Sequence, residues 1–458
     1  MSNLLLDTDS YKASHFLQYP PGTEYMFSYI ESRGGQYEKT IFFGLQYLLK
    51  EYLSKPITQD NVDEAASFFK LHGLPFPKEQ WEYIVNTHSG YLPIRIKSVP
   101  EGSLISTKNI LVSVESLDPK VFWVVGWLET LLMRIWYPVT VSTRSYHVRQ
   151  LIYKYLVKTS DNPEDEIWFK LHDFGSRGVS SRESAGIGGM SHLVNFKGSD
   201  TVQGILFANR YYNHEMAAVS ISAAEHSVIT SWGRENEVEA YRNMLNQFAK
   251  KDALVAIVSD SYDIYNAVNT LWGVELRQQI IDSGATVILR PDSGVPHEVV
   301  LRCLDLLASR FGFTLNSKGY KVLNNVRIMQ GDGINEDSIE KILQTITTYQ
   351  YSTTNVAFGM GGALLQQLDR DTQRFAMKCS CVRISGEYRD VYKDPITDLG
   401  KTSKKGRLGL FKDVNDNYKT RKIESVQDEQ ENLLTTVFES GQILKDYTLE
   451  EIRYKSNS

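Results

Sequence analysis

TVILRPDSG, residues Thr286–Gly294, is a short apolar run that ends abruptly at charged and turn-forming residues. Val287, Ile288 and Leu289 have the pattern of a strand that is buried on both faces. The RPDSG that completes the stretch places two opposite charges beside two turn formers. Such a strand is typical of a parallel sheet whose carboxyl ends carry functional side chains.

The same design occurs four more times, in KLHDFGSRG (Lys170–Gly178), AIVSDSYD (Ala256–Asp263), RIMQGDG (Arg327–Gly333) and NVAFGMGG (Asn355–Gly362). Each run ends in Asp, Arg, His or Gly, and a helical pattern follows most of them. Ordinary turns are the alternative interpretation, because Asp and Gly are common at strand ends. Five such endings in one region favour a site, and we therefore predict an irregular α/β barrel.

The length of 458 residues exceeds what one ordinary core accommodates and indicates two domains. Strand and helix patterns alternate over residues 149–378, which we predict to be an α/β barrel catalytic domain. Residues 1–148 and 379–458 mix helices with a larger share of strands. We predict that these two ends build one discontinuous, β-rich domain of mixed α+β type.

Local patterns in the first of these segments illustrate the mixture. Thr23–Ile30 alternates like a strand, and Leu92–Val114 has the pattern of a β-meander. Phe43–Leu53 has the spacing of an amphipathic helix, and Glu115–Pro138 predicts one tryptophan-rich helix.

The composition, 42% hydrophobic and 23% charged, is that of a soluble globular protein. A net charge of -5 provides no global attraction to nucleic acid, so any anion site must be a local cluster. The longest apolar window, Val121–Pro138, contains Glu129 and Arg134, which favours a buried helix over a membrane span. The amino terminus lacks a signal-peptide pattern, so we expect a cytoplasmic protein.

The three cysteines are Cys303, Cys379 and Cys381, too few for a full disulfide set. Cys379 and Cys381 have no second ligand pair that would complete a zinc site. We expect three reduced thiols and no zinc.

Glycines suggest where an anion binds. Gly359, Gly361 and Gly362 lie between a strand and a helix, where exposed backbone N–H groups form a phosphate cradle. A tight strand-to-helix turn explains them equally well. Gly331-Asp332-Gly333 is a second such corner, and its Asp can accept a ribose hydroxyl. Basic residues cluster late in the chain, in a pattern that is usually a solvated loop: Lys378, Lys393, Lys401, Lys404, Lys405 and Arg407.

Acidic and imidazole groups add to this picture. Asp260, Asp292 and Asp332 each follow a strand, so they can converge and hold Mg²⁺ through waters when the substrate brings phosphates. His226 follows small residues and Glu225, a setting that suits a positioned imidazole. A lone histidine near a helix start is more often structural, and this holds for His172 and His192 as well.

The motifs together resemble a known family. DTDSYKASH, KLHDFGSRGVSS, NFKGSDT, AAEHS, VSDSYDIYN, RPDSG, QGDG, FGMGG and KKGRL occur in order and at suitable spacing over nearly the whole chain. In these residues the chain resembles the nicotinamide phosphoribosyltransferases of bacterial and phage type, within the nicotinate/nicotinamide phosphoribosyltransferase family. The resemblance implies a type II phosphoribosyltransferase-like barrel.

The resemblance also implies a reaction. Nicotinamide and 5-phosphoribosyl 1-pyrophosphate (PRPP) would give nicotinamide mononucleotide and pyrophosphate, a step of NAD biosynthesis and salvage. ATP would be a co-substrate, hydrolysed through a phosphohistidine at His226 with Glu225 beside it. Asp260 and Asp292 would be catalytic and would hold Mg²⁺ through water, and the phosphates of the substrate would be further ligands of the ion.

Binding residues follow from the same resemblance. The nicotinamide and mononucleotide contacts would be Tyr11, Phe174, Arg177, Asp200, Arg290, Asp332, Gly333, Gly361, Gly362 and Arg370. The phosphate and pyrophosphate contacts would be Arg33, Lys378, Lys393 and Lys401. The pyridine ring would stack between Phe174 and Tyr11 of a second subunit, which implies a homodimer with shared active sites. Asp200 would accept a hydrogen bond from the carboxamide.

Three other interpretations compete with this one. A nicotinate phosphoribosyltransferase should lack an acid at the amide position, so Asp200 argues against it. A barrel retained only for binding would not need the set Asp260, Arg290, Asp292 and His226. An aldolase-type barrel would place a lysine at a strand end for a Schiff base, and none of the five strand ends does so. We expect neither nucleic acid nor membrane as a partner.

Overall fold

The computed structural model describes residues 3–397 and 402–457, which divide into two compact units. The first contains the described chain up to Thr143, the segment Asn209–His214 and the described chain from Leu368 onward. The second contains Arg144–Ala208 and Glu215–Gln367. The divisions at 143/144 and 367/368 differ from the predicted 148/149 and 378/379. The predicted boundary at 378/379 would cut strand Phe375–Ile384, which belongs whole to the first unit.

The first unit is built on an antiparallel sheet of seven strands that come from both ends of the chain. In spatial order they are Glu387–Asp390, Phe375–Ile384, Thr23–Ser32, Ile110–Ser116, Ile94–Ser98, Thr435–Glu439 and Gln442–Ile443. Strand Thr23–Ser32 pairs with Phe375–Ile384 on one side and with Ile110–Ser116 on the other. The prediction of a β-rich domain made from both chain ends is therefore confirmed.

Two further strand pairs complete the β structure of this unit, Lys39–Ile41 with Leu104–Ser106 and Leu408–Lys412 with Tyr418–Lys422. Its helical elements are Leu4–Leu6, Ser10–Leu17, Leu45–Leu48, Leu49–Leu53, Gln59–His72, Lys78–Thr87, Pro119–Val121, Val124–Trp127, Glu129–Met133, Arg370–Thr372, Val426–Glu431 and Leu449–Asn457. Thr58 caps helix Gln59–His72 through a reciprocal bond with Asn61, which satisfies two backbone donors at the helix start.

One helix prediction was wrong. Glu115 and Ser116 end a strand, and the rest of Glu115–Pro138 contains three short helical elements instead of one long helix. The long helix of this region begins at Trp136 and continues to Thr159.

The second unit contains seven parallel strands, which we label β1 to β7 in chain order: Leu171–Asp173, Gly198–Ser199, Ser222–Ala223, Leu254–Val258, Thr286–Arg290, Val326–Gln330 and Val356–Met360. Their spatial order is β2, β1, β7, β6, β5, β4, β3. Gly198 in β2 also forms a parallel bridge with Val219, just before β3, so the row of strands curls back on itself. This confirms the predicted irregular α/β barrel.

Helical segments precede β1, connect the strands, as parallel pairing requires, and follow β7. They are Pro163–Glu166, Ile167–Phe169, Ser176–Gly178, Arg182–His192, Val202–Tyr212, His226–Thr230, Arg234–Asn236, Glu237–Phe248, Ile264–Asn266, Ala267–Glu275, Arg277–Ser283, Pro296–Phe311, Glu336–Thr348, Thr353–Asn355 and Gly362–Leu365. A small hairpin, Phe313–Leu315 with Lys321–Leu323, precedes β6. Within residues 3–397 and 402–457, no helix is long and apolar enough to span a membrane.

Three neighbouring strands contribute apolar side chains to one cluster inside the barrel. Ala256 of β4, Ile288 of β5 and Met329 of β6 form an apolar cluster, against which Phe174 and Ala357 pack. The predicted buried strands thus supply an apolar interior, and the polar residues that follow them lie at the carboxyl edge.

Candidate active site

Asp260 and Asp292 follow neighbouring barrel strands at equivalent positions. Strands β4 and β5 pair in parallel, with Val258 opposite Arg290. Each aspartate lies two residues beyond its member of that pair, so both carboxylates extend from the same point of the carboxyl edge. The side chain of Asp260 is 4% exposed and that of Asp292 is 33% exposed. The structure brings the two acids together, as the strand-end pattern predicts.

His226 lies beside both carboxylates. Its Nε2 is 3.6 Å from Oδ1 of Asp260 and 3.6 Å from Oδ2 of Asp292, beyond hydrogen-bonding distance. Its Nδ1 is 3.2 Å from Oγ of Ser261, and the side chain is 45% exposed. The imidazole is therefore oriented on one side and accessible to an incoming group on the other.

The backbone before His226 is held by residues of β4 and β5. The N–H of Ala224 donates to the carbonyl of Ala256 at 2.9 Å, and the carbonyl of Ala224 accepts from Nη1 of Arg290 at 3.0 Å. Glu225 comes next and precedes the short helix that begins at His226. Its carboxylate accepts a hydrogen bond from the Ser227 hydroxyl. These contacts fix where Glu225 and His226 emerge from the barrel.

A cavity of about 490 Å³ opens at this edge, a size within the range of small-molecule sites. It is lined by residues that follow four of the strands: Phe174, Ser176, Arg177, Asp200, Thr201, Ala223, Ala224, Glu225 and Arg290. Five predicted site residues, Phe174, Arg177, Asp200, Glu225 and Arg290, therefore share one cavity.

Arg290 and Phe174 form one wall of this cavity. The guanidinium carbon of Arg290 lies 5.6 Å from the centroid of the Phe174 ring. Nε of Arg290 is buried and donates to no acceptor in the part of the chain that the structure describes. The wall thus offers an aromatic face and a buried donor without an acceptor, a combination suited to a flat ligand with a carbonyl or an anionic group.

Asp200 lies across the same cavity, directly after β2. Its Oδ1 accepts a hydrogen bond from Oγ of Ser220 at 2.5 Å, and its backbone N–H donates to the carbonyl of Asp173 at 3.0 Å. Asp173 is fully buried, and burial raises the pKa of its carboxyl group to about 6. Burial likewise lowers the pKa of His172, which the charge of Asp200 partly opposes. Asp200 is therefore the exposed acid of this corner, with one oxygen already bonded.

The glycine corners lie at the ends of β6 and β7. Gly361 and Gly362 begin the short helix Gly362–Leu365, and a side chain at Gly362 would extend into open space. Asp332 and Gly333 are exposed in the turn after β6. A side chain at Gly359 would lie 2.1 Å from Cε2 of Phe174, so this glycine admits the Phe174 ring against β7. This packing role of Gly359 was not predicted from the sequence.

The remaining predicted residues that the structure describes lie in the first unit. A cavity of about 570 Å³ there, which we call the basic cavity, is lined by Arg33, Glu129, Met133, Arg370, Asp371, Arg374, Phe375, Ala376, Met377, Lys378 and Lys393. It brings together Arg33, Arg370, Lys378 and Lys393 from three separate parts of the sequence. Arg370 belongs to this unit and not to the barrel unit that contains Gly361 and Gly362. Lys401 lies outside the described residues.

Tyr11 is exposed to solvent, whereas His192 is buried. Tyr11, in the helical segment Ser10–Leu17 of the first unit, is 57% exposed. His192 is buried, with Nδ1 2.9 Å from the Ser145 hydroxyl and Nε2 3.2 Å from the carbonyl of Leu171. His192 is therefore a core histidine with both ring nitrogens partnered, while the assignment of Tyr11 as a stacking residue stays a prediction.

Serines at the carboxyl edge were not predicted as site residues. Oγ of Ser293 donates to Oδ2 of Asp260 at 2.5 Å, so the motif after β5 supports the acid after β4. Ser261, in the motif after β4, contacts the imidazole of His226. An Asp-Ser dipeptide follows both strands, and this repeat is the feature of the sequence that could have predicted the two serines.

The carboxylates fit a divalent cation that arrives with a phosphorylated substrate. Oδ1 of Asp260 is buried and accepts no hydrogen bond from a described residue. No group of three or more His, Cys, Asp or Glu side chains suited to a metal occurs among those residues. Two carboxylates without a protein cage are the arrangement expected for Mg²⁺ that keeps water and phosphate ligands.

Two solved structures share this fold along almost the whole chain. The crystal structure of nicotinate-nucleotide pyrophosphorylase from Pyrococcus furiosus has a TM-score of 0.63 at 14% identity and covers 100% of this chain and 97% of its own. The crystal structure of human nicotinic acid phosphoribosyltransferase has a TM-score of 0.59 at 16% identity, covering 98% and 93%. The fold is that of the type II phosphoribosyltransferases, an α/β barrel with a separate antiparallel-sheet domain.

Sequence comparisons narrow this class. The model of the nicotinate phosphoribosyltransferase (NAPRTase) family matches residues 169–442, and that of the nicotinamide phosphoribosyltransferase N-terminal domain matches residues 3–96. Nicotinamide phosphoribosyltransferase of Xanthomonas campestris is 56% identical over 99% of this chain and 98% of its own length. That of Acinetobacter baylyi is 33% identical over 99% and 97%. The chain therefore belongs to the nicotinate phosphoribosyltransferase family and, within it, to the nicotinamide phosphoribosyltransferases.

Proposed function

We propose that this protein transfers the 5-phosphoribosyl group of PRPP to nicotinamide and thereby makes nicotinamide mononucleotide for NAD biosynthesis. Family membership supports the reaction class, a pentosyl transfer. The observation that carries the proposal is the cavity in which Phe174, Asp200 and Arg290 converge beside the Asp260–Asp292 pair. It combines a flat aromatic wall, an acid and a buried donor, which match the ring, the amide nitrogen and the amide oxygen of nicotinamide.

Base recognition follows from this geometry. The Phe174 ring stacks on the pyridine, and such stacking contributes about 1 kcal/mol beyond the burial of area. The oxygen of Asp200 that Ser220 does not bond accepts from the carboxamide nitrogen. A nicotinate carboxylate in the same pose would face the negative charge of Asp200 and be repelled.

The transfer breaks the bond between ribose C1 and the pyrophosphate oxygen, and the pyridine nitrogen forms the new bond with its lone pair. Pyrophosphate leaves with the bonding electrons, so positive charge develops on the ribose in an oxocarbenium-like transition state. Asp260 and Asp292 place negative charge where they can hold the cation that accompanies PRPP, with Ser293 orienting Asp260. Mg²⁺ bound there would supply positive charge to the leaving pyrophosphate. The corner Gly361–Gly362 offers backbone N–H groups for the 5-phosphate.

His226 is proposed to couple ATP hydrolysis to this synthesis. A neutral ring that donates from Nδ1 to Ser261 presents the lone pair of Nε2 to the γ-phosphate of ATP. The terminal P–O bond of ATP breaks, ADP leaves, and a P–N bond forms. Water then cleaves the P–N bond and releases phosphate, which restores the free imidazole.

Turnover by the purified protein tests the reaction. With nicotinamide, PRPP and Mg²⁺, we expect nicotinamide mononucleotide and pyrophosphate in equal amounts, and Asp292→Ala should abolish both products. A wild-type protein that binds nicotinamide and releases no pyrophosphate would instead be a binding protein, and the proposal would be rejected.

We further propose a cytoplasmic homodimer with shared active sites. All three cysteines are free thiols, which fits a reducing compartment. Tyr11 and the basic cavity of one subunit are proposed to serve the barrel of the other. Tyr11→Ala and Asp292→Ala should each be nearly inactive alone and regain activity when mixed, because one hybrid site then has both native contributors. Absence of recovery, with subunit exchange shown separately by labelled protein, would mean that Tyr11 serves its own barrel.

A further inference from the structure

Arg374 lines the basic cavity although nothing in the sequence pointed to it. It directly precedes strand Phe375–Ile384 and ends the turn that begins at Asp371. Its N–H donates to the carbonyl of Asp371 at 3.3 Å, and its carbonyl accepts from the N–H of Arg33 at 3.2 Å. The backbone of Arg374 is therefore fixed beside Arg33 at the edge of the cavity.

The backbone conformation of Arg374 is unusual for its side chain. Its φ angle is +47°, in the left-handed region that glycine adopts freely and that other residues with a Cβ adopt at a cost. A turn that needed only this conformation would be better served by glycine or asparagine. An arginine at this position therefore indicates a use for the guanidinium group itself.

The charges around the cavity are poorly compensated. Among the described residues, no carboxylate forms an ion pair with Arg374, Lys378 or Lys393, whereas Glu129 is paired with Lys12. Nζ of Lys378 donates to the carbonyl of Met377 at 2.8 Å. Burial lowers the pKa of Lys378, and the neighbouring Arg33 and Lys393 lower it further, against the opposing charge of Glu129.

The other cations of the cavity have only partial partners. Arg33 contacts Glu31 through Nε at 3.2 Å, but its Nη2 is buried and donates to no described acceptor. Arg370 lies 3.5 Å from Asp371 in an exposed pair. Among the described residues that line this space, five are cations, and only Asp371 and the already paired Glu129 are acidic. Such a space attracts a compact polyanion.

We propose that Arg374 is a binding residue for the pyrophosphate group, alongside Arg33, Lys378 and Lys393. The inference rests on the proposed transfer from PRPP, which supplies pyrophosphate as product. The planar guanidinium can donate two parallel hydrogen bonds to one phosphate, which the lysines of the cavity cannot do. Arg374 would therefore orient the pyrophosphate while the lysines supply charge.

Binding of inorganic pyrophosphate, measured by calorimetry on the full chain, tests this role separately from turnover. Arg374→Gln removes the charge and replaces the guanidinium with a shorter, neutral amide, and Arg374→Gly also relieves the backbone. Both should weaken pyrophosphate binding by about tenfold, as expected for lost charge-assisted hydrogen bonds, and both should leave the Kd for nicotinamide unchanged. Arg374→Lys should be intermediate. Arg389→Gln makes the same change of charge at an exposed strand residue outside the cavity and should bind pyrophosphate like the wild type.

The glycine variant separates binding from a backbone role. If Arg374 matters only for the turn, Arg374→Gly should bind pyrophosphate as well as the wild type, and the inference is overturned. Equal affinity in wild type and Arg374→Gln overturns it too. A protein that weakens pyrophosphate binding in both variants but makes no nicotinamide mononucleotide would retain this inference and reject the proposed reaction. If the wild type makes nicotinamide mononucleotide and both variants bind pyrophosphate with unchanged affinity, the proposed reaction is retained and this inference is overturned.

Discussion

Nε2 of His226 lies 3.6 Å from Oδ1 of Asp260, a buried oxygen that accepts no hydrogen bond from any described residue. Oδ2 of Asp292 lies at the same distance from that nitrogen. Two carboxylates beside one imidazole nitrogen repel a phosphate. A phosphoryl group can therefore approach this nitrogen only when a cation lies between the phosphate and the carboxylates. In the proposed function, the pair that would hold Mg²⁺ for ribosyl transfer would therefore also control the access of ATP to His226.

The first prediction concerns this histidine. His226→Ala should fold normally and bind nicotinamide, because the ring is exposed and lies outside the barrel interior. It should store no acid-labile phosphate after incubation with labelled ATP and should lose the stimulation of synthesis by ATP. A weaker, ATP-independent transfer from PRPP should persist, since Asp260 and Asp292 are intact.

His72→Ala is the matched control, because His72 is an exposed histidine at the end of helix Gln59–His72. It should retain both phosphate incorporation and ATP stimulation. If His226→Ala still stored acid-labile phosphate, the phosphoryl acceptor would be another residue and His226 would be a structural histidine.

The second prediction concerns the choice of base. Asp200→Asn removes the charge that repels nicotinate, so the ratio of kcat/KM for nicotinamide over nicotinate should fall by at least about tenfold, or ~1.4 kcal/mol. The expected change is modest because Asp200 is exposed to solvent, where water screens its charge. Ser220→Ala removes the hydroxyl that bonds Oδ1 but keeps the charge, and the preference for nicotinamide should survive. An unchanged ratio in Asp200→Asn would show that another group recognises the amide.

The third prediction concerns Gly359. A methyl group there would lie 2.1 Å from the Phe174 ring, so Gly359→Ala should displace the ring and raise the Kd for nicotinamide. A loss of stacking predicts about a fivefold increase, or ~1 kcal/mol. Calorimetry with nicotinamide measures the change. In a Phe174→Ala background the same substitution should have little further effect, because the clashing ring is gone. Equal effects in both backgrounds would place the damage elsewhere.

The barrel and its strand ends could be predicted because they depend on local patterns. Buried parallel strands are short apolar runs, and their carboxyl ends meet whatever lies between them in sequence. This is why Asp260 and Asp292, from separate motifs, could be expected at one point. The β-rich domain was predictable for a similar reason, since Thr23–Ile30 and the strands after residue 378 both show alternation.

Other features depended on packing that no local pattern carries. Glu115–Pro138 has a helical pattern in the sequence, yet its first two residues complete a strand of the sheet. Three short helical elements and the start of helix Trp136–Thr159 follow. In the sequence, Arg374 is a charged residue before a strand, and no local pattern distinguishes it. Only the fold places it in the basic cavity. The contact of Gly359 with Phe174 joins two strand ends that are far apart in sequence.

The last prediction concerns pH and the buried acid of β1. Asp173 is fully buried, and burial raises the pKa of its carboxyl group from 3.8 to about 6. The folded state therefore keeps a proton that the unfolded state has lost between these two values, and the contribution of Asp173 to stability falls as pH rises through this window. Above it, the ionised carboxylate costs about 3 kcal/mol, an order of magnitude taken from 1.36 kcal/mol per pKa unit.

Asp173→Asn should remove this cost while keeping an oxygen to accept the N–H of Gly175, which bonds Oδ1 of Asp173 at 2.7 Å. The gain in unfolding free energy over the wild type should grow by about 1 kcal/mol from pH 5 to pH 7.5, measured by denaturant titration of both proteins. Asp165→Asn makes the same chemical change at an exposed position and provides the comparison. A gain that does not grow with pH, or that Asp165→Asn reproduces, would show that the Asp173 carboxyl group ionises alike in the folded and unfolded chain.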